Sequence, residues 1–312
     1  MAQRLVVVSV SGGKDSTSTA RLALDRHAPE SVRLVMADTG HEHEITMQYV
    51  RHTLPEALAM PIEIVRADFS REIASKRLYV ENVWPTKGVP PEIVRRALSV
   101  LHPTGVPFLD LCLWKGRFPS RTRQFCTQFL KRLPLDTFLL DRMSEGTEVE
   151  SWRGIRRDES QNRQDAPDRE LTAEGYWIVH PIAAWSAQQV IDFVRDRGLP
   201  LNPLYRQGMR RVGCMPCINC AKDELLEIWQ RWPAYIDVVR QWEELVCLAA
   251  KRGWTTFFCD SLLEGETDAD IFQRLKIDER VRWAKTARGG RQFDFLRAMG
   301  TPACSSQYGL CE

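Results

Sequence analysis

The chain has 312 residues, 44% of them apolar, which is enough for one large α/β core with a smaller addition. Its 43 Lys and Arg stand against 41 Asp and Glu, a net charge of +2, so a nucleic-acid binder held by a global positive field is excluded and any such contact must come from a local patch. No window approaches the roughly 18 apolar residues that cross a bilayer, no signal-peptide pattern precedes the first strand, and nine cysteines in a reducing compartment speak for metal or redox chemistry rather than disulfides; a cytoplasmic protein without a membrane partner is expected.

The first element is the apolar run Leu5-Val6-Val7-Val8, a strand, followed by Ser11-Gly12-Gly13-Lys14-Asp15-Ser16 and then by the helical periodicity of Thr19-Ala20-Leu22-Ala23-Leu24. Glycines let this backbone turn tightly against a ligand, the helix start offers unpaired N–H groups to an anion, and Lys14 adds positive charge between two serine hydroxyls. A second strand, Val32 to Ala37, ends in Asp38-Thr39-Gly40, and a third runs from Ile62 to Ala67 after a helix, Glu44 to Leu54, which Pro55 is expected to stop. Strands alternating with helices predict a doubly wound parallel sheet, with ligands beyond the carboxyl ends of the strands, where residues 11–16 and 38–40 both lie. Asp38 either accepts hydrogen bonds from the ribose or adenine side of a nucleotide or caps the helix that starts near His41.

Residues 82–122 hold six prolines, three glycines and two tryptophans and read as an insertion or substrate-facing loop region. Helical patterns follow at Arg123 to Arg132, Ala187 to Arg197, Glu224 to Trp232 and Tyr235 to Ala250. The expected division is a nucleotide-binding catalytic domain over 1–222 and a helical C-terminal appendage over 223–312. The arginine-rich stretches Arg117-Arg121-Arg123 and Arg282-Lys285-Arg288-Arg291 read as solvated faces or as phosphate contacts.

Within Trp152-Arg153-Gly154-Ile155-Arg156-Arg157-Asp158-Glu159-Ser160, Arg156 and Arg157 beside Gly154 offer bidentate donors to a phosphate or sulfate, and Glu159 would orient them or meet a metal. Gly213-Cys214-Met215-Pro216-Cys217-Ile218-Asn219-Cys220 packs three cysteines at Cys-x2-Cys-x2-Cys spacing, which suits zinc, an iron–sulfur cluster, or three buried thiols without metal. Cys112, Cys247 and Cys259 read as core.

The hexapeptide at 11–16 resembles the pyrophosphate loop of the adenine-nucleotide alpha-hydrolase superfamily, fitting its SGGxDS pattern at each fixed position, and lacks the spacing of a Walker A loop. The segment around Gly154 to Ser160, together with His180-Pro181-Ile182, Trp185-Ser186, Asn202-Pro203-Leu204-Tyr205 and Gly208, resembles the phosphoadenosine phosphosulfate (PAPS) reductase family, so the likeness covers roughly residues 5 to 222. The region from Phe118 to Leu135 is similar to the cysteine-bearing segment of iron–sulfur adenylylsulfate reductases and DNA-phosphorothioation proteins, which implies Cys126 as fourth ligand, beside Cys214, Cys217 and Cys220, of a [4Fe-4S] cluster.

The resemblance implies ATP or PAPS as the bound nucleotide. It further implies Mg²⁺, a sulfur-donor protein of desulfurase or thioredoxin type, and a nucleic acid among the acceptors. It departs at two places. Phe125 precedes Cys126 where the cluster-bearing reductases have paired cysteines, and the tail Cys304-Ser305-Ser306-Gln307-Tyr308-Gly309-Leu310-Cys311-Glu312 has tyrosine where their nucleophilic cysteine stands. These departures favour an ATP pyrophosphatase that adenylylates an acceptor for sulfur incorporation over a PAPS or adenylylsulfate reductase; a noncatalytic nucleotide sensor is the third reading.

Overall fold

A computed structural model describes residues 4–260 and 263–286. Six strands form one sheet in the order β3-β2-β1-β4-β6-β5: β1 (Arg4–Ser9), β2 (Val32–Asp38), β3 (Ile62–Arg66), β4 (Glu148–Trp152), β5 (Arg169–Leu171) and β6 (Trp177–Val179). All neighbours are parallel except the edge pair β5 and β6. β1 is apolar from Leu5 to Val8 because both of its faces are covered there. Val6 and Val8 pack under α1 (Lys14–Arg26), and Leu5 and Val7 contribute to a second cluster on the opposite face. The chain proceeds outward from β1 to β3 and then returns to place β4 on the other side of β1. A crevice therefore opens at the carboxyl ends of β1 and β4, the position at which open α/β sheets bind ligands.

Two expectations need correction. The helix that Pro55 was to end begins as α2 (Glu44–Gln48), widens into a π turn at Tyr49–Thr53 and continues as α3 (Leu54–Leu58). A proline ring collides with the carbonyl four residues back in a regular helix, and the wide turn moves that carbonyl away. The same arrangement recurs at Thr127–Arg132, ahead of Pro134.

The second correction is to the loop half of the reading of 82–122 as an insertion or substrate-facing loop region. After α4 (Ser70–Val83), this region folds as α5 (Pro91–Val100) and α6 (Pro107–Lys115). Pro91 and Pro107 are helix starts, where the missing N–H has no intrahelical partner to lose.

α7 (Leu133–Ser144) and α8 (Ala187–Asp196) flank the sheet, α8 opening with a capping box between Ser186 and Gln189. The later helices are α9 (Lys222–Arg231), α10 (Pro233–Ala249), α11 (Asp268–Leu275) and α12 (Ile277–Ala284). α9, α10 and α12 share one apolar cluster with α4, α5 and α6, so the C-terminal helices and the 70–130 region form a common helical layer beside the sheet.

Glu243 of α10 fastens this layer, accepting from the Phe257 N–H at 2.8 Å and the Ile277 N–H at 3.0 Å. Burial pushes its carboxyl up to about 7, against those two hydrogen bonds. The folded state then holds a proton that the unfolded state has released, so stability is greatest below the unfolded value near 4.5 and is lost as pH rises through about 7. The loss is on the order of 3 kcal/mol. Thermal melts at pH 5.5 and pH 8 check this: wild type should lose stability between them by clearly more than Glu243→Gln, and equal losses would remove the assignment.

Candidate nucleotide and thiol site

The turn after β1 is set by Gly12 at φ +77, where a Cβ would lie 2.9 Å from the Thr46 methyl, so glycine is required for both conformation and space. Asn202 holds the turn by donating to the Gly12 carbonyl at 3.2 Å and to Thr46 Oγ1 at 3.2 Å. Ser16 closes it from inside, accepting from the Ser11 N–H at 3.1 Å and donating to the Gly13 carbonyl at 2.9 Å. No side chain caps α1 at Gly13, and the Lys14 N–H donates to the Tyr205 hydroxyl at 3.1 Å. The expected strand, glycine turn and helix start are thus present, with Asn202 and Tyr205 as braces.

Lys14 is 5% exposed, and its ammonium lies 3.0 Å from Asp15 Oδ2. The other Asp15 oxygen accepts from Arg156 Nε, so one carboxylate holds two cations at the loop. Arg156 is itself buried and also pairs with Asp158. Burial works against its charge, but Asp15 and Asp158 outweigh that and raise its pKa.

The chain reaches this position through Gly154, where a Cβ would stand 2.8 Å from the Asp15 carbonyl oxygen. Gly154→Ala should push the two segments apart at a cost of about 1–3 kcal/mol. A denaturant titration showing wild-type stability would count against this close approach. The neighbouring Arg157 turns away, donating to the Ala166 carbonyl at 2.9 Å and to the exposed Asp168 at 2.5 Å. Glu159 is occupied by Arg163 and lies 3.9 Å from Arg211.

Asp38 is buried at the end of β2, accepts from the Gly40 N–H at 2.8 Å and pairs with Arg66 at 3.3 Å. It does not cap the next helix, because His43 does, accepting from the Ile45 N–H through Nδ1. The turn that follows is braced by Glu42, which accepts from Thr39 Oγ1 at 2.7 Å and from the Thr39 N–H at 3.0 Å.

The cysteine loop docks on this turn. The His43 N–H donates to the Gly213 carbonyl at 3.0 Å and the Met215 N–H to the His41 carbonyl at 2.9 Å. Cys214 Sγ consequently lies 3.5 Å from Thr39 Oγ1 and 3.8 Å from Glu42 Oε1.

The Cys217 sulfur acts electrostatically on Cys126, Cys214 and Cys220, and burial raises all three of those thiols, Cys214 to about 12. Lys131 sits among them, its pKa raised by Cys214 first, against the opposing effect of burial, and then by Glu42, Cys217 and Cys126. Among the described residues, no three His, Cys, Asp or Glu side chains already stand in a metal-ligating group. Cys112 is buried and Cys247 half-buried, but Cys259 is exposed rather than in the core. Cys304, Cys311, Tyr308, Arg288 and Arg291 lie outside the described residues. Lys131, Glu42 and Tyr205 escaped the sequence reading as site residues; the only signal for Lys131 was its place five residues after Cys126.

An uncharacterized 37.8 kDa protein from the gpa 5' region of Escherichia phage 186 is 40% identical over 98% of this chain and 96% of its own length. An adenosine 5'-phosphosulfate reductase of Rhizobium tropici is 39% identical over 80 residues, 25% of this chain and 44% of that protein. A solved PAPS reductase from Candida auris, in complex with phosphate, aligns at 16% identity and TM-score 0.40 over 67% of this chain and 80% of that one. Among the described residues no helix is long and apolar enough to cross a membrane. The model of the phosphoadenosine phosphosulfate reductase domain matches residues 111–220, the stretch that runs from α6 through Cys126 and the Arg156 segment to Cys220, and that stretch belongs to this domain family.

Proposed function

We propose that this protein cleaves ATP at the α-phosphorus and adenylylates an acceptor, which a sulfur nucleophile then attacks with release of AMP. The observation that carries this reading is the pairing of Lys14 and Arg156 on one carboxylate, Asp15, at the mouth of a glycine loop. A nucleotide's phosphates would meet two cations held in place before binding, which is where charge develops as pyrophosphate leaves. The acceptor's oxygen forms the new bond to phosphorus, the bond to the bridging pyrophosphate oxygen breaks, and the loop receives the departing anion. Asp38, Thr39 and Gly40 would meet the nucleoside side, and Mg²⁺ would enter with the phosphates. Arg157 and Glu159, engaged with Asp168 and Arg163, act at the rim, through their neighbours.

Cys126, Cys214, Cys217 and Cys220 are the residues that would hold a [4Fe-4S] cluster, with zinc as the alternative metal. A donor set of thiols with Lys131 among them suits an anionic centre, and binding would require the four side chains to draw together and release protons. Once bound, such a centre would bring negative charge and a covalent tie between residue 126 and the 214–220 loop. A sulfur-donor protein is the partner this chemistry requires.

The second reading, a PAPS or adenylylsulfate reductase, is favoured by the adenosine 5'-phosphosulfate reductases among the relatives. Anaerobically purified protein incubated with α-labelled ATP, and separately with labelled PAPS, distinguishes the two. Pyrophosphate and AMP support the first, and thiol-dependent sulfite supports the second. In either case Lys14→Ala should weaken nucleotide binding at least tenfold without unfolding the chain, since a charge-assisted contact is worth about 1.5–3 kcal/mol; calorimetry with unchanged affinity for both nucleotides would remove the loop from the site.

A further inference from the structure

The near-neutral composition conceals a segregation of charge. Residues 70–132 hold twelve Lys and Arg against four Asp and Glu, which leaves 31 against 37 for the rest of the chain. Among the described residues none of those twelve cations lies within salt-bridge distance of a carboxylate, whereas arginines on β1, β5, α8 and α10 are paired. Lys131 sits among the thiols with Glu42 nearby, but the excess of positive charge on the rest of this segment is the local field that attracts a polyanion.

Four of these cations, Lys76, Lys87, Lys115 and Arg117, lie beside aromatic rings. Lys76 Nζ is 5.6 Å from the Tyr79 ring and Lys87 Nζ 5.3 Å from it, and Tyr79 is 40% exposed. Lys115 stands 3.5 Å over Trp114, and Arg117 lies 5.7 Å from Phe125, the neighbour of Cys126. Lys251 acts on Tyr79, and Gly116 approaches Ala249 closely, so the end of α6 adjoins the end of α10. Cation and ring side by side is the pattern that binds unpaired bases together with their phosphates.

We propose that this face, from Tyr79 to Phe125, binds single-stranded nucleic acid and leads it to the thiol and nucleotide site. This rests on the adenylylating reading above and names its acceptor class. The test is fluorescence anisotropy of the full chain with a labelled single-stranded 20-mer, as DNA and as RNA, across a salt series. Calorimetry with ATP is run on the same preparations.

Wild type should bind with strong salt dependence. A Lys76→Glu, Lys87→Glu, Lys251→Glu variant should lose at least tenfold in affinity and about 2 from the salt slope, at roughly 0.7 per phosphate released. Tyr79→Ala should lose about fivefold or more with the slope unchanged. Both should keep wild-type ATP affinity. Oligonucleotide binding by the variants equal to wild type, equal binding of a duplex, or binding no tighter than to polyglutamate would overturn the proposal. Loss of ATP binding in wild type with the oligonucleotide still held would instead defeat the nucleotide reading and leave this face standing.

Discussion

Arg156→Met should lower turnover steeply and destabilise the fold by about 1.5–3 kcal/mol, because it removes the charge-assisted hydrogen bonds of a buried guanidinium to Asp15 and Asp158, while Asp15 keeps Lys14. The guanidinium is 4% exposed and ties Asp15 of the loop to Asp158, so its loss frees the carboxylate that also holds Lys14. Removing one positioned donor at a developing charge lowers rates by roughly 10²–10³. Arg156→Lys should recover part of the stability and little of the rate, since an ammonium cannot reach two carboxylates in fork geometry. The measurements are denaturant unfolding and labelled-nucleotide turnover. A destabilised Arg156→Met with wild-type turnover would return this residue to a purely structural role, and a stable one with wild-type turnover would remove both roles.

The second large effect is expected at Cys217. It is the sulfur that acts on the other three thiols, so Cys217→Ser should strip the site of metal and weaken the attachment of the cysteine loop to the β2 turn. Iron and acid-labile sulfide on anaerobically purified wild type, with a visible absorption band absent from the variant, is the expected result. Stoichiometric zinc in a colourless protein would keep the site and discard the cluster. Absence of any metal from wild type prepared anaerobically would leave four thiols with packing roles alone.

Local signals made the loop at 11–16, the Asp38 turn and the Cys214 loop legible. Each is a run of a few residues whose chemistry does not depend on distant partners. The segment Asn202 to Tyr205 stood out by resemblance, but its bracing role was not legible, for the opposite reason. Tyr205 meets the Lys14 amide, and Asn202 the Gly12 carbonyl, across about 190 residues of sequence. Arg156 and Arg157 are identical by type and adjacent, and only the path of the chain through Gly154 sends one to Asp15 and the other to Asp168. Proline richness over 82–122 misled because proline punctuates loops and opens helices alike, and here Pro91 and Pro107 stand at helix starts. β4, β5 and β6 are short or carry acids within them, so their hydrophobic pattern is faint.

The order of the sheet also bears on how the chain is made. Arg4 to Val8 pair with Glu148 to Trp152, so the strand carrying the nucleotide loop waits for its second neighbour until more than 140 residues have left the ribosome. Until then a nascent sheet of β1, β2 and β3 presents its most apolar strand as an open edge, the arrangement most prone to pairing with another chain. Synthesis stalled within the helical layer should therefore yield aggregates rather than a partial enzyme, and chaperone demand should fall sharply once β4 emerges.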